Sequence, residues 1–383
     1  MRIGILTHNY PRNSREQIGA EVFVYSFARL LKKEGHEVFV FCPSYSGKKE
    51  KYKDVPVTWF YWHDDNKKMG DLSLANISSL FWISIMVLKG GFEVLKFIQT
   101  NDIDVIISMW AFPAGFWAMI GKFFAGKPSV IISMGSDIFV YPKILPIKWL
   151  TGFILMMGDL VYGNGYKICR RIKEISGRKA LFFPITASNL PFKYAMKIKM
   201  DTKKFNFIYV GRLEPVKGPD VLFEATKKLR RKVDNFVVYL AGPGTMFEDL
   251  KVKVKKDRLD ENFKLLGPVY DRKKVAGLFL QADSLVMASR SESTPFTVIE
   301  AINAKLPIVV TDVGDMGKIA SDFKIGFVAP AEDATALADE MFKIIKKGKG
   351  FKKKIAKNFK KPKEIYDTYK STKKMLLKVE ELL

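Results

Sequence analysis

The sequence predicts two α/β domains in series, each a doubly wound parallel sheet. Short apolar strands alternate with helical stretches, the grammar of βαβ units. That pattern starts twice, at residue 2 and again near residue 205. The length of 383 residues suits two domains at roughly 100–200 residues each.

Residues 2–7 read as the first strand. Residues 19–34 carry Val22, Phe23, Phe27, Leu30 and Leu31 at helical spacing, and Gly35 stops that helix. Residues 36–41 form a second strand, and 105–108 and 129–133 two more. In the second half, residues 207–210 are a strand and Gly211 opens a loop. A helix follows from Pro219 to about Arg231. Strands are expected at 236–240, 264–266, 284–287 and 307–310, with helices between them. Residues 183–204, with Pro184 and Pro191, read as the linker. The expected domains are therefore 1–190 and 191–361. A lysine-rich tail, 362–383, is expected to be helical after Pro362 and to pack back toward the first domain.

Hydrophobic residues make up 48% and aromatics 13%, which excludes a disordered basic chain. The net charge is +24, from 64 Lys+Arg against 40 Asp+Glu. Such an excess points to nucleic acid, an anionic membrane or phosphorylated ligands, and says nothing about fold. It is unevenly placed: residues 342–383 hold 15 Lys against 4 acids, a net of +11, leaving +13 for the rest. A nucleic-acid-binding protein is the alternative from a different class, but no motif for that role is present. Cys42 and Cys169 lie far apart with no C-x-x-C. With no secretory signal at the start, the expectation is a reducing cytoplasm. The longest uncharged apolar run begins at Ile106, is broken by Pro113 and ends before Lys122. It is too short to span a bilayer.

Four motifs could carry chemistry. Gly211-Arg212-Leu213-Glu214-Pro215-Val216-Lys217-Gly218 follows a strand and precedes a helix. Arg212 offers a planar fork and Lys217 a mobile point charge, so the loop could clamp a diphosphate. A solvated loop is the plain alternative. The second motif runs from Ser291 to Ala301. Pro295 fits a first helical position, with Ser293 or Thr294 as N-cap, and the helix start is a ready anion site. Glu292 lies just before it, and Glu300 lies five residues in from Pro295, about 7.5 Å along the axis. Carboxylates accept hydrogen bonds from paired hydroxyls, as two sugars joined by a diphosphate would offer. The plain alternative is a surface Glu292 and a Glu300 paired with a cation. The third is Gly242-Pro243-Gly244, whose first glycine permits close backbone approach to a ligand or simply makes a turn. The fourth is Gly19 at the start of the first helix, where backbone amides could meet a phosphate.

Together these residues resemble the retaining nucleotide-sugar glycosyltransferases of family 4, with the GT-B fold: two Rossmann-like domains facing an interdomain cleft. The resemblance rests on Gly211-Arg212-Leu213, Lys217-Gly218 and Glu292-x₇-Glu300. It extends to Pro307–Gly314, Gly326-Phe327-Val328, Trp110–Gly115 and Gly135-Ser136-Asp137. It implies that Arg212 and Lys217 hold the donor diphosphate and that Glu300 holds the ribose hydroxyls. Glu292 would contact the transferred sugar. Gly211, Gly242, Pro295, Phe296, Thr297 and Gly19 would line the donor, with backbone amides of Phe296 and Thr297 on phosphate or sugar. Asp137 and Trp110 would lie on the acceptor side. The sequence departs from the family at Met134, where a histidine is usual, at Lys305, at Asp315 and at Gly317-Lys318.

No metal or other cofactor is expected. Asp102-Ile103-Asp104 has D-x-D spacing but precedes a buried strand. His8, His36 and His63 lack ligand partners at metal spacing. The donor is expected to be a UDP-, GDP- or ADP-sugar and the acceptor a glycan or lipid-linked hydroxyl. A GT-B sugar-nucleotide epimerase is the alternative enzyme. Trp110, Phe112, Phe116 and Trp117, and the stretch from Trp149 to Met157 beside Lys143 and Lys148, would suit contact with an anionic membrane. Core helices are the alternative for most of them.

Overall fold

The structure, a computed structural model, describes residues 1–11, 20–44, 54–62, 76–184 and 190–383. The chain forms two compact units, Met1–Ser188 with Thr368–Leu383, and Asn189–Asp367.

The first unit contains β1 (Arg2–Leu6), α1 (Ala20–Lys33), β2 (Glu37–Ser44), β3 (Val57–Tyr61), α2 (Ile77–Thr100) and β4 (Val105–Met109). There follow α3 (Ala114–Ala125), β5 (Ser129–Ser133), α4 (Ser136–Phe139), α5 (Leu145–Met157), β6 (Leu160–Gly163), α6 (Tyr166–Ser176) and β7 (Leu181–Phe182). The seven strands are ordered β3-β2-β1-β4-β5-β6-β7 and every pairing is parallel. β1, β4 and β5 are buried along nearly their whole length, as a sheet covered on both faces requires. Crossovers between parallel strands are right-handed. That rule puts α2, α3, α5 and α6 in one layer, in which neighbours pack in sequence. Close packing of α2 on α3 depends on Gly90: a Cβ there would lie 2.5 Å from the buried Trp117 ring, whose Nε1 donates to Val87 O at 2.9 Å.

The second unit contains β8 (Phe205–Val210), α7 (Pro219–Arg230), β9 (Phe236–Ala241), α8 (Phe247–Lys256), β10 (Phe263–Gly267), α9 (Arg272–Gln281) and β11 (Ser284–Met287). Then come α10 (Phe296–Asn303), β12 (Ile308–Thr311), α11 (Met316–Asp322), β13 (Gly326–Ala329), α12 (Ala334–Lys347), α13 (Phe351–Lys354) and α14 (Lys360–Ile365). Its six parallel strands are ordered β10-β9-β8-β11-β12-β13.

The linker, Pro362 and the tail charge differ from the sequence reading. Residues 190–204 are not a free linker: Met196 N–H donates to Lys273 O at 3.0 Å, and Gly277 of α9 lets the Met196 carbonyl approach closely. Pro362 does not begin the last helix. It sits in the first turn of α14, where its missing N–H costs no hydrogen bond. The final helix α15 (Thr368–Glu380) belongs to the first unit. Its Met375, Leu376 and Val379 are buried, Thr368 Oγ1 donates to Pro184 O at 3.1 Å, and Lys373 lies 3.5 Å from Glu34. The tail lysines are also not all surface charge. Lys352 Nζ lies within 3.5 Å of the carbonyls of Phe279, Leu280 and Ala282 at the end of α9, and burial pushes it below the ordinary lysine range.

A Cβ at Gly277 would lie 1.8 Å from Met196 O. Gly277→Ala is therefore expected to lower stability by about 2–3 kcal/mol, despite its better helix propensity. Urea denaturation checks this; an unchanged midpoint would show that residues 190–204 are not held by α9.

Candidate active site

In the second sheet the strand order reverses between β8 and β11. Ligands of open parallel sheets bind at such a switch point, at the carboxyl ends of the strands. Lys217 follows β8 and Glu292 follows β11, so the two come from opposite sides of it. They meet: Lys217 Nζ donates to Glu292 Oε1 at 2.6 Å, and the Ser289 hydroxyl donates to the same oxygen at 3.0 Å. The Glu292 side chain is only 7% exposed. A carboxylate taken that far out of water needs a partner on each side, and this one has a cation and a hydroxyl.

The loop bearing Lys217 is built to a fixed shape. Pro215–Lys217 is a single 3₁₀ turn, and Gly218 has φ +63°. A Cβ at Gly218 would lie 2.0 Å from Ala288 O, so no other residue lets the loops after β8 and β11 come this close. Arg290 then ties them. Its guanidinium makes two bonds to Asp220, at 2.9 and 2.7 Å, one to Glu332 at 2.9 Å, and one to Pro215 O. Its backbone N–H donates to Val216 O at 2.9 Å. The bonds from Arg290 hold Asp220 below the ordinary carboxylate range. Lys217 thus projects from a turn clamped on both sides.

Arg212 is exposed on the same loop, while its carbonyl accepts from Tyr209 Oη at 2.8 Å. Gly211 shows no internal need for glycine, since the nearest atom to a Cβ there is Tyr209 Oη at 3.5 Å. Gly242 differs. It has φ +154°, and a Cβ would lie 1.9 Å from Gly211 O; Gly244 is pressed against Leu213 in the same way. The close approach expected of this glycine pair is thus to the neighbouring loop of the chain itself.

The helix start differs slightly from expectation. Pro295 is the N-cap, in an extended conformation, and α10 begins at Phe296 with no side chain capping it. Thr294 is not the cap because its hydroxyl bonds Asp315 Oδ2 at 3.1 Å, while Asp315 N–H donates to Ser293 O. Asp315, one of the departures from the family pattern, thereby holds the loop before α10. Thr297 Oγ1 donates to Val210 O at 3.1 Å, fastening the first turn of α10 to the end of β8. Glu300 lies one turn further along α10, 13% exposed, with Arg272 Nη2 at 3.4 Å. Burial pushes its carboxyl up to about 7, against the opposing pull of Arg272.

In the first unit the switch point lies between β1 and β4. Trp110 sits just after β4 with φ +74°, and its ring packs edge-on against His8 at 4.5 Å. Both are buried, and burial pushes His8 down to about 3, so it stays neutral. Asp137 is fully buried and accepts from the N–H groups of Ala111, Gly135 and Met134 at 2.7, 2.8 and 3.1 Å. This carboxylate, expected on the acceptor side, faces inward and fixes the loops after β4 and β5. Burial raises its pKa. Asp102 and Asp104 both hold Arg2. Gly19 and His63 lie outside the described residues.

Two families match this chain. Glycosyl transferases group 1 matches residues 193–362, the unit with the Lys217–Glu292 pair. Glycosyltransferase Family 4 matches residues 18–133. The chain belongs to the family 4 glycosyltransferases. Among relatives, an uncharacterized glycosyltransferase, MJ1178, of Methanocaldococcus jannaschii is 24% identical over 68% of this chain and 73% of its own length. TuaC of Bacillus subtilis, a glycosyltransferase assigned to teichuronic acid biosynthesis, is 26% identical over 64% of this chain and 63% of its own. Among solved structures, Anabaena Alr3699/HepE in complex with UDP superposes with a TM-score of 0.73 over the full length of both chains at 16% identity. The fold is GT-B, and the chain is a glycosyltransferase.

Sequence reasoning did not single out Arg290, Asp220, Glu332 or Arg272. The signal for the first two was present: a cation two residues before Glu292 and an acid three residues after Lys217. Arg290→Met should leave the glycosyltransferase folded but release the turn that aims Lys217. Turnover should fall about tenfold or more, and Asp220→Asn added to it should cost little further, because the two act as one clamp. Steady-state kinetics of the single and double variants check this; additive losses would show the clamp to be irrelevant to Lys217.

Proposed function

We propose that this enzyme is a retaining transferase that moves a sugar from a nucleoside diphosphate onto a hydroxyl of a glycan or lipid-linked acceptor. The observation that carries the reading is the Lys217–Glu292 pair just before the start of α10. Bond breaking at the sugar leaves negative charge on the departing diphosphate. Cations and helix N–H groups held in place for that charge are usually the largest catalytic contribution. Lys217 and Arg212 serve this role, with the backbone of Phe296 and Thr297 at the phosphate or sugar. Glu292 meets the transferred sugar, and its partners fix the carboxylate's direction. Glu300 accepts the paired ribose hydroxyls. Gly211 leaves room for the donor. UDP, present in the HepE complex, is the donor nucleotide to test first.

In the proposed step the bond between the anomeric carbon and the phosphate oxygen breaks as the acceptor oxygen bonds that carbon from the same face. The acceptor's proton passes to the departing phosphate oxygen. Product and donor then share anomeric configuration. We also propose that no metal ion is needed, because Lys217, Arg212 and the helix start meet the diphosphate charge. No helix among the described residues is long and apolar enough to cross a membrane. We place the enzyme as a peripheral protein on the cytoplasmic face of a membrane that carries its acceptor.

Lys217→Ala should lower kcat by roughly 10²–10³-fold, Glu292→Ala should abolish transfer, and EDTA should leave wild-type turnover unchanged. Product anomers read by NMR decide retention; an inverted product, or activity restored only by a divalent ion, overturns that part of the reading. Donor binding should also depend on pH. Glu300 is protonated below about 7 and ionised above it, and the ionised form accepts both ribose hydroxyls. Affinity should therefore weaken about tenfold between pH 8 and pH 6 and lose this dependence in Glu300→Gln. Nucleotide-sugar titration by calorimetry checks it. Stability shifts the opposite way, since a raised carboxyl favours the fold at low pH and loses that contribution as pH rises toward 7.

A further inference from the structure

The outward surface of the α2, α3 and α5 layer is apolar. On α2, Ile77, Phe81, Leu88 and Phe92 recur at helical spacing, and Phe92 is 80% exposed. The opposite stripe of the same helix, from Ile83 through Val87 to Val94, is buried against the unit. On α5, Leu145, Trp149, Phe153 and Met156 form a second stripe, with Trp149 71% exposed. Between them, α3 ends in Phe123 and Phe124, the latter 77% exposed. All three helices lie on one side of the sheet, so these stripes share one surface. Soluble monomers rarely expose a contiguous apolar area of that size without using it.

For the first group of aromatics the core reading of the sequence holds. Trp110, Phe112 and Trp117 are core residues, each 4% exposed or less. Only the stripe on α5 agrees with the membrane expectation, and the one on α2 was not anticipated.

We infer that this face docks onto an anionic lipid surface, with α2 and α5 lying in the plane of the headgroups. The inference deepens the proposed lipid-linked acceptor but stands on its own observation. Charge selects the occupant. The three helices carry Lys89, Lys96, Lys122 and Lys148 against one carboxylate, Glu93, and Lys143 is exposed just before α5. Lys122 is taken by Asp159 at 2.6 Å and Lys89 lies over the Tyr61 ring, which leaves Lys96, Lys143 and Lys148 to frame the aromatics. Apolar residues on one stripe with lysines around them match the interfacial region of an anionic bilayer, and Trp149 suits the headgroup level. A second copy of the chain fits poorly. A twofold interface sets the same patch against itself, and lysines would face lysines with a single carboxylate between them.

The test is flotation of the full chain with phosphatidylcholine vesicles, with and without phosphatidylglycerol. Wild type should float with the anionic vesicles. Trp149→Glu with Phe153→Glu, or Phe81→Glu with Phe92→Glu, should lower partitioning about tenfold or more. Lys143→Glu and Lys148→Glu should each lower it about fivefold. Should a glutamate variant fail to fold, tryptophan quenching by brominated lipid in the intact chain decides. Quenching must occur, and Trp149→Phe must remove most of it. Equal recovery of wild type in the soluble fraction with and without vesicles overturns the inference. So does dimerisation of wild type that the glutamate variants abolish in light scattering. Donor hydrolysis measured without vesicles should be unchanged in all variants, so a failed docking face and a failed transferase reading are told apart.

Discussion

The candidate active site rests on how closely two loops approach at the switch point of the second sheet. The backbone after β8 and the backbone after β11 touch at Gly218 and Ala288, where even a methyl group would not fit. That contact brings Lys217 within 2.6 Å of Glu292. Arg290 locks it by bonding the turn's carbonyls and Asp220 together. Thr297 fastens α10 to the end of β8 in turn. A flexible lysine on a solvated loop would lose rotamer freedom each time it met a phosphate. A lysine held by its neighbours has already lost it, and preorganisation of this kind is what makes charge effective in catalysis.

The two sheets solve different problems with the same topology. In the second unit, the polar groups at the carboxyl edge are partly open and paired with one another, so a ligand can exchange for some of those partners. In the first unit, the described residues His8, Trp110 and Asp137 at the corresponding edge are buried. Asp137 accepts three backbone N–H groups and is fully buried, and Trp110 and His8 pack together. These residues matter by setting the loops. The helix layer of the same unit exposes aromatic stripes between lysines.

The net charge of +24 divides accordingly. A small part is local: Lys217 paired with Glu292, Arg290 with Asp220 and Arg272 with Glu300. Another part is structural, as with Lys352 at the end of α9 and Lys373 beside Glu34. Most of what remains is exposed charge, which screens at physiological salt over about 8 Å.

The sequence alone determined the fold class and most of the strands, because alternating apolar strands and amphipathic helices leave little choice of architecture. It also led to the expectation that Arg212, Lys217, Glu292 and Glu300 form one constellation, and of these the structure pairs Lys217 with Glu292. It could not separate Gly211 from Gly242. Glycine is equally silent in sequence whether it makes room for a ligand or for the chain's own backbone, and only the position of neighbouring carbonyls decides. The same holds for the aromatics. Trp117 and Trp149 look alike beside their lysines, yet one fills the core against Gly90 and the other faces out. Which stripe of a wholly apolar helix turns inward is set by the sheet beneath it, and so was the clamp of Arg290 on Asp220, two residues 70 positions apart that meet only when β8 and β11 lie side by side.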